Sequence, residues 1–132
     1  MKVRDDSWCF ACGPDNPYGL HLSDFHFQND KFVCTFTPQR HHQGWAGLTH
    51  GGIVATLLDE VMTKMLEAQH TNAVTAQMTI RYRQPLPIGQ RAVARAWVTG
   101  QRGPLVRAEA ELLLPDDNLI AHAQAKLMAA AE

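Results

Sequence analysis

The chain has no surplus of either charge and no long apolar run. Its 12 basic and 13 acidic side chains give a net charge of −1, whereas nucleic-acid-binding proteins normally carry a basic excess or stripe. No apolar run approaches the roughly 18 residues that a membrane-spanning helix needs. The opening residues, MKVRDDSWCF, lack the apolar core of a secretory signal. We therefore expect a cytoplasmic protein with neither a nucleic-acid nor a membrane partner.

Cysteine is scarce and odd in number. Cys9, Cys12 and Cys34 are read as reduced thiols, as is usual in the cytoplasm. Cys9 and Cys12 form one CxxC, but a zinc site needs further ligands, and the pair His41 and His42 is the candidate for them. The simpler interpretation is that both cysteines are small buried hydrophobic residues. No metal and no cofactor is expected, and a small zinc protein stays open as an alternative.

What is present fits one globular domain. The chain has 132 residues, of which 45% are hydrophobic, and it contains no repeats and no linker long enough to divide it. We predict one domain over residues 1–132. Residues 9–19, CFACGPDNPYG, are rich in turn formers, so residues 1–18 are predicted to form an irregular segment.

The hydrophobic period changes along the chain. Apolar pairs four positions apart, from Ile53 to Leu66, predict a long, well-buried helix. Alternation with period two predicts strands at residues 20–28, 31–36, 72–84, 90–99, 105–114 and 119–128. Short turns between strands favour antiparallel pairing. The predicted fold is α+β: a hairpin, one helix and a four-stranded meander, with the helix packed against the antiparallel sheet.

Residues 49–62, THGGIVATLLDEVM, place two glycines at the start of that helix. A phosphate-binding P-loop needs a lysine and a serine or threonine after the glycines, and Ile53 and Val54 stand there instead. The backbone N–H groups at a helix start lack intrahelical partners and carry the positive end of the helix dipole. A polarised carbonyl oxygen or an oxyanion is therefore a suitable guest. Gly51-Gly52 alone fits a loop hinge equally well.

An acidic pair follows two turns later. Asp59 lies at the border of the apolar stripe, and Thr63 is one turn further on the same side. A carboxylate there can act as nucleophile or general base. Periodicity alone favours a simpler interpretation, in which Asp59 and Glu60 belong to the solvated side of the helix.

The stretches HQGWAGLTHGGIVATLLDEVM and TAQMTIRYRQPLP resemble hotdog-fold acyl-CoA thioesterases of the PaaI-like type. CFACGPDNPYGL resembles the N-terminal motif of one branch of that group. The resemblance runs from about Cys9 to the last strand. It implies a hotdog domain, in which an antiparallel sheet wraps a long central helix, and an enzyme that hydrolyses acyl-CoA without a cofactor.

The resemblance also implies roles for individual residues. Asp59 matches the catalytic carboxylate, nine positions after the motif histidine, His50. The N–H of Gly51 matches the oxyanion donor, and Gly52 would allow close approach of the substrate. His50 would orient the loop or the thioester.

Thr63 and Gln43 match the family less directly, and two arginines are candidates without a family match. Thr63 matches a threonine that positions water in some members. Many members have an asparagine or glutamine six positions before the histidine; Gly44 stands there, and the neighbouring Gln43 is the candidate replacement. Arg81 and Arg83 are candidates for the CoA phosphates, with solvated strand charges as the alternative.

The family assembles as dimers, often paired into tetramers, so the resemblance implies a homodimer or a dimer of dimers with Asp59 acting across the interface. A non-catalytic acyl-binding module is the alternative function, although such a module is expected to lack the acid at Asp59. A dehydratase needs a different His/Asp arrangement, which is missing. The sequence does not specify the acyl group.

Overall fold

The computed structural model describes residues 1–131 and contains one helix packed on one antiparallel sheet. The helix, α1, spans Gly51–Ala68, and a short 3-10 helix spans Arg40–His42. The strands are β1 (His26–Gln28), β2 (Lys31–Phe36), β3 (Ala73–Tyr82), β4 (Ala92–Arg102), β5 (Leu105–Leu113) and β6 (Leu119–Ala129). None of the helices within residues 1–131 has the length and apolar character needed to cross a lipid bilayer.

The strands follow the order β1-β2-β4-β5-β6-β3, and every pairing is antiparallel. The prediction of a four-stranded meander was therefore wrong, because β3 pairs with β6 and only β4, β5 and β6 run as a meander. The connection of residues 83–91 carries the chain across the sheet instead of folding back. It is anchored to the loop before α1, since the N–H of Thr49 donates to the Leu86 carbonyl at 2.8 Å and Leu48 forms a bridge with Pro87.

Small side chains line the sheet face beneath the helix. The buried positions in β4, β5 and β6 are largely alanines: Ala92, Ala94, Ala96, Ala108, Ala110, Ala121, Ala123 and Ala125. The helix contributes the large core side chains, and four of them are 1% exposed or less: Leu57, Leu58, Met62 and Met65. Because alanine adds little height to the sheet, large helix side chains fill the space between the layers at normal packing density. This explains why a strand as rich in alanine as β6 forms in the sheet.

The predicted first strand, residues 20–28, is mostly absent. Only His26–Gln28 pair with β2, through the predicted turn at Asn29, which has φ 59°. Leu20 and Leu22 are buried, and their N–H groups donate to the carbonyls of Phe10 and Ala11. The hydrophobic alternation of this stretch therefore reflects packing of the N-terminal segment, not pairing in the sheet.

A bulge interrupts β3 between Thr75 and Gln77. After the bulge, Met78 and Ile80 pack against the core. Before it, the hydroxyl of Thr75 hydrogen-bonds Asp59 on the helix. The strict alternation predicted for this strand would have placed Thr75 on the opposite face from Met78. The extra residue of the bulge puts both on the helix side.

Candidate active site

The start of α1 is fixed by its own histidine. His50 is the N-cap residue, and its Nδ1 accepts the N–H of Gly52 at 2.8 Å. A Cβ on Gly52 would lie 3.0 Å from that nitrogen. Gly52 therefore leaves room for the capping imidazole, which is a different reason for a glycine than the substrate approach expected from the sequence. The position of His50 is consistent with its expected role in orienting the loop.

The N–H of Gly51 has no hydrogen-bond partner among the described residues, as expected for the first turn of a helix. The carbonyl of the same residue accepts the Tyr82 hydroxyl at 2.8 Å. The Gly51–Gly52 peptide is thus held at both ends, by Tyr82 at its oxygen and by His50 at its N–H. These two bonds therefore hold the peptide that directly follows the free Gly51 N–H.

A groove of about 760 Å³ runs past this N–H. Its lining combines loop and strand residues: Gly44, Trp45, Leu48, Thr49, His50, Gly51, Tyr82, Arg83, Gln84 and Pro85. Arg83 is therefore at the groove, but Arg81 is not among its lining residues. In β3, Arg81 alternates with Ile80 and Tyr82, which lie on the helix side, so it lies on the outer face of the sheet.

The side chain of Gln43 forms a hydrogen bond within the loop that precedes α1. Its Oε1 accepts the N–H of Gly47 at 2.8 Å, and Gln43 is not among the residues that line the groove. Gly44, six positions before His50, does line it. A Cβ on Gly44 would lie 3.2 Å from the Cα of His50, so the backbone of His50 occupies the space that a side chain there would need.

Asp59 lies away from this groove. Its half-buried carboxylate accepts the hydroxyl of Thr75 on β3 at 2.5 Å. Asp59 follows Gly51 by eight residues, which corresponds to about 12 Å along a helix. One thioester carbonyl cannot touch both groups within a single chain. The structure brings Gly51, His50 and Tyr82 together and leaves Asp59 separate from them.

The groove residues from Gly51 to Pro85 and Asp59 lie within a segment that matches a known protein family. The model of the thioesterase superfamily matches residues 46–121, more than half of the chain. The chain belongs to the thioesterase superfamily. This confirms the family predicted from the sequence, and the match begins in the groove loop and extends into β6.

Relatives of this thioesterase-superfamily chain include acyl-coenzyme A thioesterase 13 of Mus musculus, 32% identical over 85 residues, which is 63% of the chain and 61% of the mouse protein. Acyl-coenzyme A thioesterase THEM4 of Xenopus laevis is 28% identical over 90 residues, 68% of the chain and 40% of that protein. The chain therefore spans only part of these relatives. The PaaI protein of the E. coli phenylacetic acid degradation operon superposes with a TM-score of 0.77 at 21% identity, covering 85% of this chain and 81% of that one. This confirms the predicted hotdog fold.

A second cavity, of about 510 Å³, lies further along α1, beside its middle and its last turns. Thr63 lines it, so the structure does not place Thr63 in the groove of Gly51. Cys9, Cys12 and Glu60 also line it. Glu60 is 9% exposed, so the prediction that it lies on the solvated side of the helix was wrong. The N-terminal segment covers it, and helical periodicity carries no information about a segment distant in sequence.

Cys12 and His42 are among the titratable groups near these sites whose pKa values are shifted. Burial, reinforced by Glu60, raises the pKa of the Cys12 thiol above its ordinary range. Burial and the neighbouring His41 lower the pKa of His42, whose Nδ1 accepts the N–H of Gln39 at 2.9 Å. His42 is therefore held neutral within its own loop.

Tyr82 and Thr75 were not predicted from the sequence as residues of the site. Both were read only as members of an alternating strand. The Thr49 hydroxyl, buried beside the groove and without a partner among the described residues, was missed as well. The one available signal was that all three carry hydroxyl groups near the glycine motif or in the strand that follows the helix.

Proposed function

We propose that this protein hydrolyses an acyl-CoA thioester to the free acid and CoA, at a site shared by two copies of the chain. Membership of the thioesterase superfamily and the names of the acyl-coenzyme A thioesterase relatives support the reaction class. The groove at the start of α1 supports an oxyanion site, because its free backbone N–H lies at the positive end of the helix dipole.

The observation that carries the shared site is the pair of hydrogen bonds at the two ends of β3. Near its start, Thr75 holds Asp59; at its end, Tyr82 holds Gly51. These ends are seven residues apart, or about 23 Å along a strand. β3 is also an edge strand, with β6 as its neighbour on one side only.

Pairing β3 with β3 of a second copy, antiparallel across a two-fold axis, would cover this edge. Because the direction of the strand reverses across the axis, the Thr75 end of one copy would lie beside the Tyr82 end of the other. Asp59 of the partner subunit would then approach the Gly51 N–H, and two equivalent sites would form. The same pairing of β3 strands would therefore both cover the edge strand and complete the site.

In the resulting mechanism, the thioester carbonyl accepts the Gly51 N–H, and the helix start stabilises the negative charge that develops on its oxygen. Asp59 of the partner subunit either attacks the carbonyl carbon, expelling CoA thiolate and leaving an anhydride that water hydrolyses, or takes a proton from the water that attacks. Thr75 orients this carboxylate, while His50 and Tyr82 orient the Gly51 peptide. Arg83, in the groove, is suited to a phosphate of CoA.

The decisive variant is Asp59→Asn, which keeps the size of the side chain and its position beside Thr75. With a panel of aryl, short-chain and long-chain acyl-CoAs and detection of the released thiol, we expect the wild type to turn over at least one class. Asp59→Asn should lose about 10²–10⁴-fold in kcat, the range of a positioned acid or base. Glu67→Gln is the matched control: it removes the same charge from the same helix, at an exposed position, and should leave the rate unchanged.

Oligomeric state is measured in parallel by light scattering. A dimer or tetramer with active wild type and inactive Asp59→Asn supports the proposal. A monomer that is fully active would refute the shared site, and retained activity in Asp59→Asn would refute the role of Asp59. Inactivity of the wild type on the whole panel, together with measurable acyl-CoA binding, would favour the acyl-binding module.

A further inference from the structure

Two thiols and one carboxylate converge beside the middle of α1. The ligand atoms of Cys9, Cys12 and Glu60 all lie within 4.8 Å of one another. The Cys9 Sγ and the Glu60 Oε2 are 3.5 Å apart. The cysteines come from a turn of the N-terminal segment and the glutamate from the middle of the helix, 51 residues from Cys9. The fold thus brings together three groups that the sequence keeps apart.

Glu60 is buried among weak partners. Nine-tenths of its surface is covered, and the hydrogen bond that its carboxylate makes among the described residues comes from the thiol of Cys9. Lys64, one turn further along α1, directs its ammonium to Glu67 at 3.2 Å instead. A buried carboxylate normally has strong hydrogen-bond donors or a paired cation. Two thiols, which are weak donors, do not meet that requirement.

We propose that Cys9, Cys12 and Glu60 bind a thiophilic divalent cation of the zinc class. Zinc prefers tetrahedral sites made of thiolate sulfur, at about 2.3 Å, with imidazole or carboxylate ligands at about 2.0–2.2 Å. On a tetrahedron those lengths separate a sulfur from an oxygen by about 3.6 Å and two sulfurs by about 3.8 Å. The 3.5 Å between Cys9 Sγ and Glu60 Oε2 already matches the first separation. Each thiol gives its proton to water when it binds the metal.

The chain around the cysteines is shaped for this arrangement. The N–H of Gly13 closes the CxxC turn by donating to the Cys9 carbonyl at 2.8 Å. A Cβ on Gly13 would lie 2.3 Å from the Cys9 nitrogen, so only glycine fits after the second cysteine. The cavity of about 510 Å³ beside the cluster gives the ion an entry path and provides space for water as the fourth ligand.

The other candidates for metal ligands do not join this cluster. The rings of His41 and His42 are in contact and tilted by 49°, with centroids 4.0 Å apart. His42 also packs against Phe36, and neither histidine belongs to the cluster of Cys9, Cys12 and Glu60. Cys34 is fully buried in β2. Glu60 therefore supplies the third potential ligand beside the two cysteines, the role for which His41 and His42 were the candidates from the sequence.

The consequence of the site is structural. A metal held by Cys9, Cys12 and Glu60 would fasten the N-terminal segment to the middle of the helix. The proposed hydrolysis uses the Gly51 N–H and the carboxylate of Asp59, and none of the three proposed metal ligands takes part in it. A failure of the metal site would therefore leave the proposed function intact, and a failure of hydrolysis would leave the metal site intact.

The test uses the full-length chain after treatment with a chelator, under reducing conditions. Titration with Zn²⁺ alone, followed by metal analysis, should give one ion per chain, and melting temperature should rise with zinc concentration. Co²⁺ in place of zinc should show absorption from thiolate-to-cobalt charge transfer. Cys9→Ser and Cys12→Ser should abolish that band. Glu60→Gln should weaken zinc binding by more than the roughly 10- to 100-fold that loss of an outer-shell partner costs.

Cys34→Ala and Glu67→Gln are the matched controls, and both should bind zinc as the wild type does. Circular dichroism checks that each variant is folded; if Glu60→Gln does not fold, the cobalt spectrum of the wild type still decides the question. The proposal is overturned if the wild type takes up no stoichiometric zinc, if the cysteine variants bind as tightly as the wild type, or if a Cys9–Cys12 disulfide is the only change seen at the cluster.

Discussion

The two glycines that open α1 are adjacent, yet replacing each by alanine should have different effects on stability. Alanine in a helix is favoured over glycine by roughly 0.5–1 kcal/mol, and both variants receive this gain. At Gly51 the new Cβ lies 3.7 Å from the Tyr82 ring, an ordinary contact. At Gly52 it lies 3.0 Å from the His50 Nδ1, so the imidazole must move and the cap is lost.

Losing an N-cap costs about 1 kcal/mol. We therefore expect Gly51→Ala to stabilise the protein by about 0.5 kcal/mol or slightly more, and Gly52→Ala to be neutral or mildly destabilising. The gain from helix propensity cancels when the two variants are compared. The difference of about 1 kcal/mol then measures the His50 cap alone.

The assay is equilibrium unfolding in urea at one fixed protein concentration, with the midpoint and slope compared between variants. His50→Ala supplies the control, because without the imidazole the two glycine replacements should have equal effects. If Gly52→Ala stabilises the wild-type protein as much as Gly51→Ala does, the reasoning about the cap is wrong. Equal effects that appear only in the His50→Ala background would support it.

Two further variants probe the groove and its loop. Tyr82→Phe removes the donor to the Gly51 carbonyl. Because such a hydrogen bond is worth about 0.5–1.5 kcal/mol, kcat should fall by about 2- to 10-fold in steady-state kinetics. An unchanged kcat would contradict the positioning role of Tyr82. Because the pKa of His42 is lowered in the folded protein, stability should be full above the unfolded pKa of about 6.5 and decline as pH falls through the folded pKa. Unfolding across pH should show a shallower decline in this range for His42→Gln, while the control His26→Gln should follow the wild type.

The sequence predicted the elements of the fold because each is determined by local periodicity. The stripe from Ile53 to Leu66 and the alternation in β5 depend on side chains a few positions apart. The pairing of β3 with β6 could not be predicted in this way, since it depends on how residues 83–91 cross the sheet. That path is fixed by contacts with the loop before α1, about 40 residues earlier in the chain.

The candidate site was likewise predictable only in part from the sequence. The resemblance to the family motif predicted Gly51, His50 and Asp59 as site residues, and the structure places the first two together at the helix start. Their separation from Asp59 follows from helix geometry and was implicit in the sequence. The partners that hold these groups, Tyr82 and Thr75, could not be foreseen, because a hydrogen bond between elements depends on how the elements pack. Glu60 was misread for the same reason.

The bulge in β3 has a consequence for how this strand tolerates changes in length. The single extra residue interrupts the alternation of side chains between the two faces of the sheet. Thr75 and Tyr82 therefore point to the same side although they are seven positions apart. Removing Ala76 would restore a regular pleat and rotate everything before it by half a turn. Thr75 would then face away from α1, and Asp59 would lose its partner while every residue of the family motif remained in place. A comparison that scores only the motif would miss such a defect.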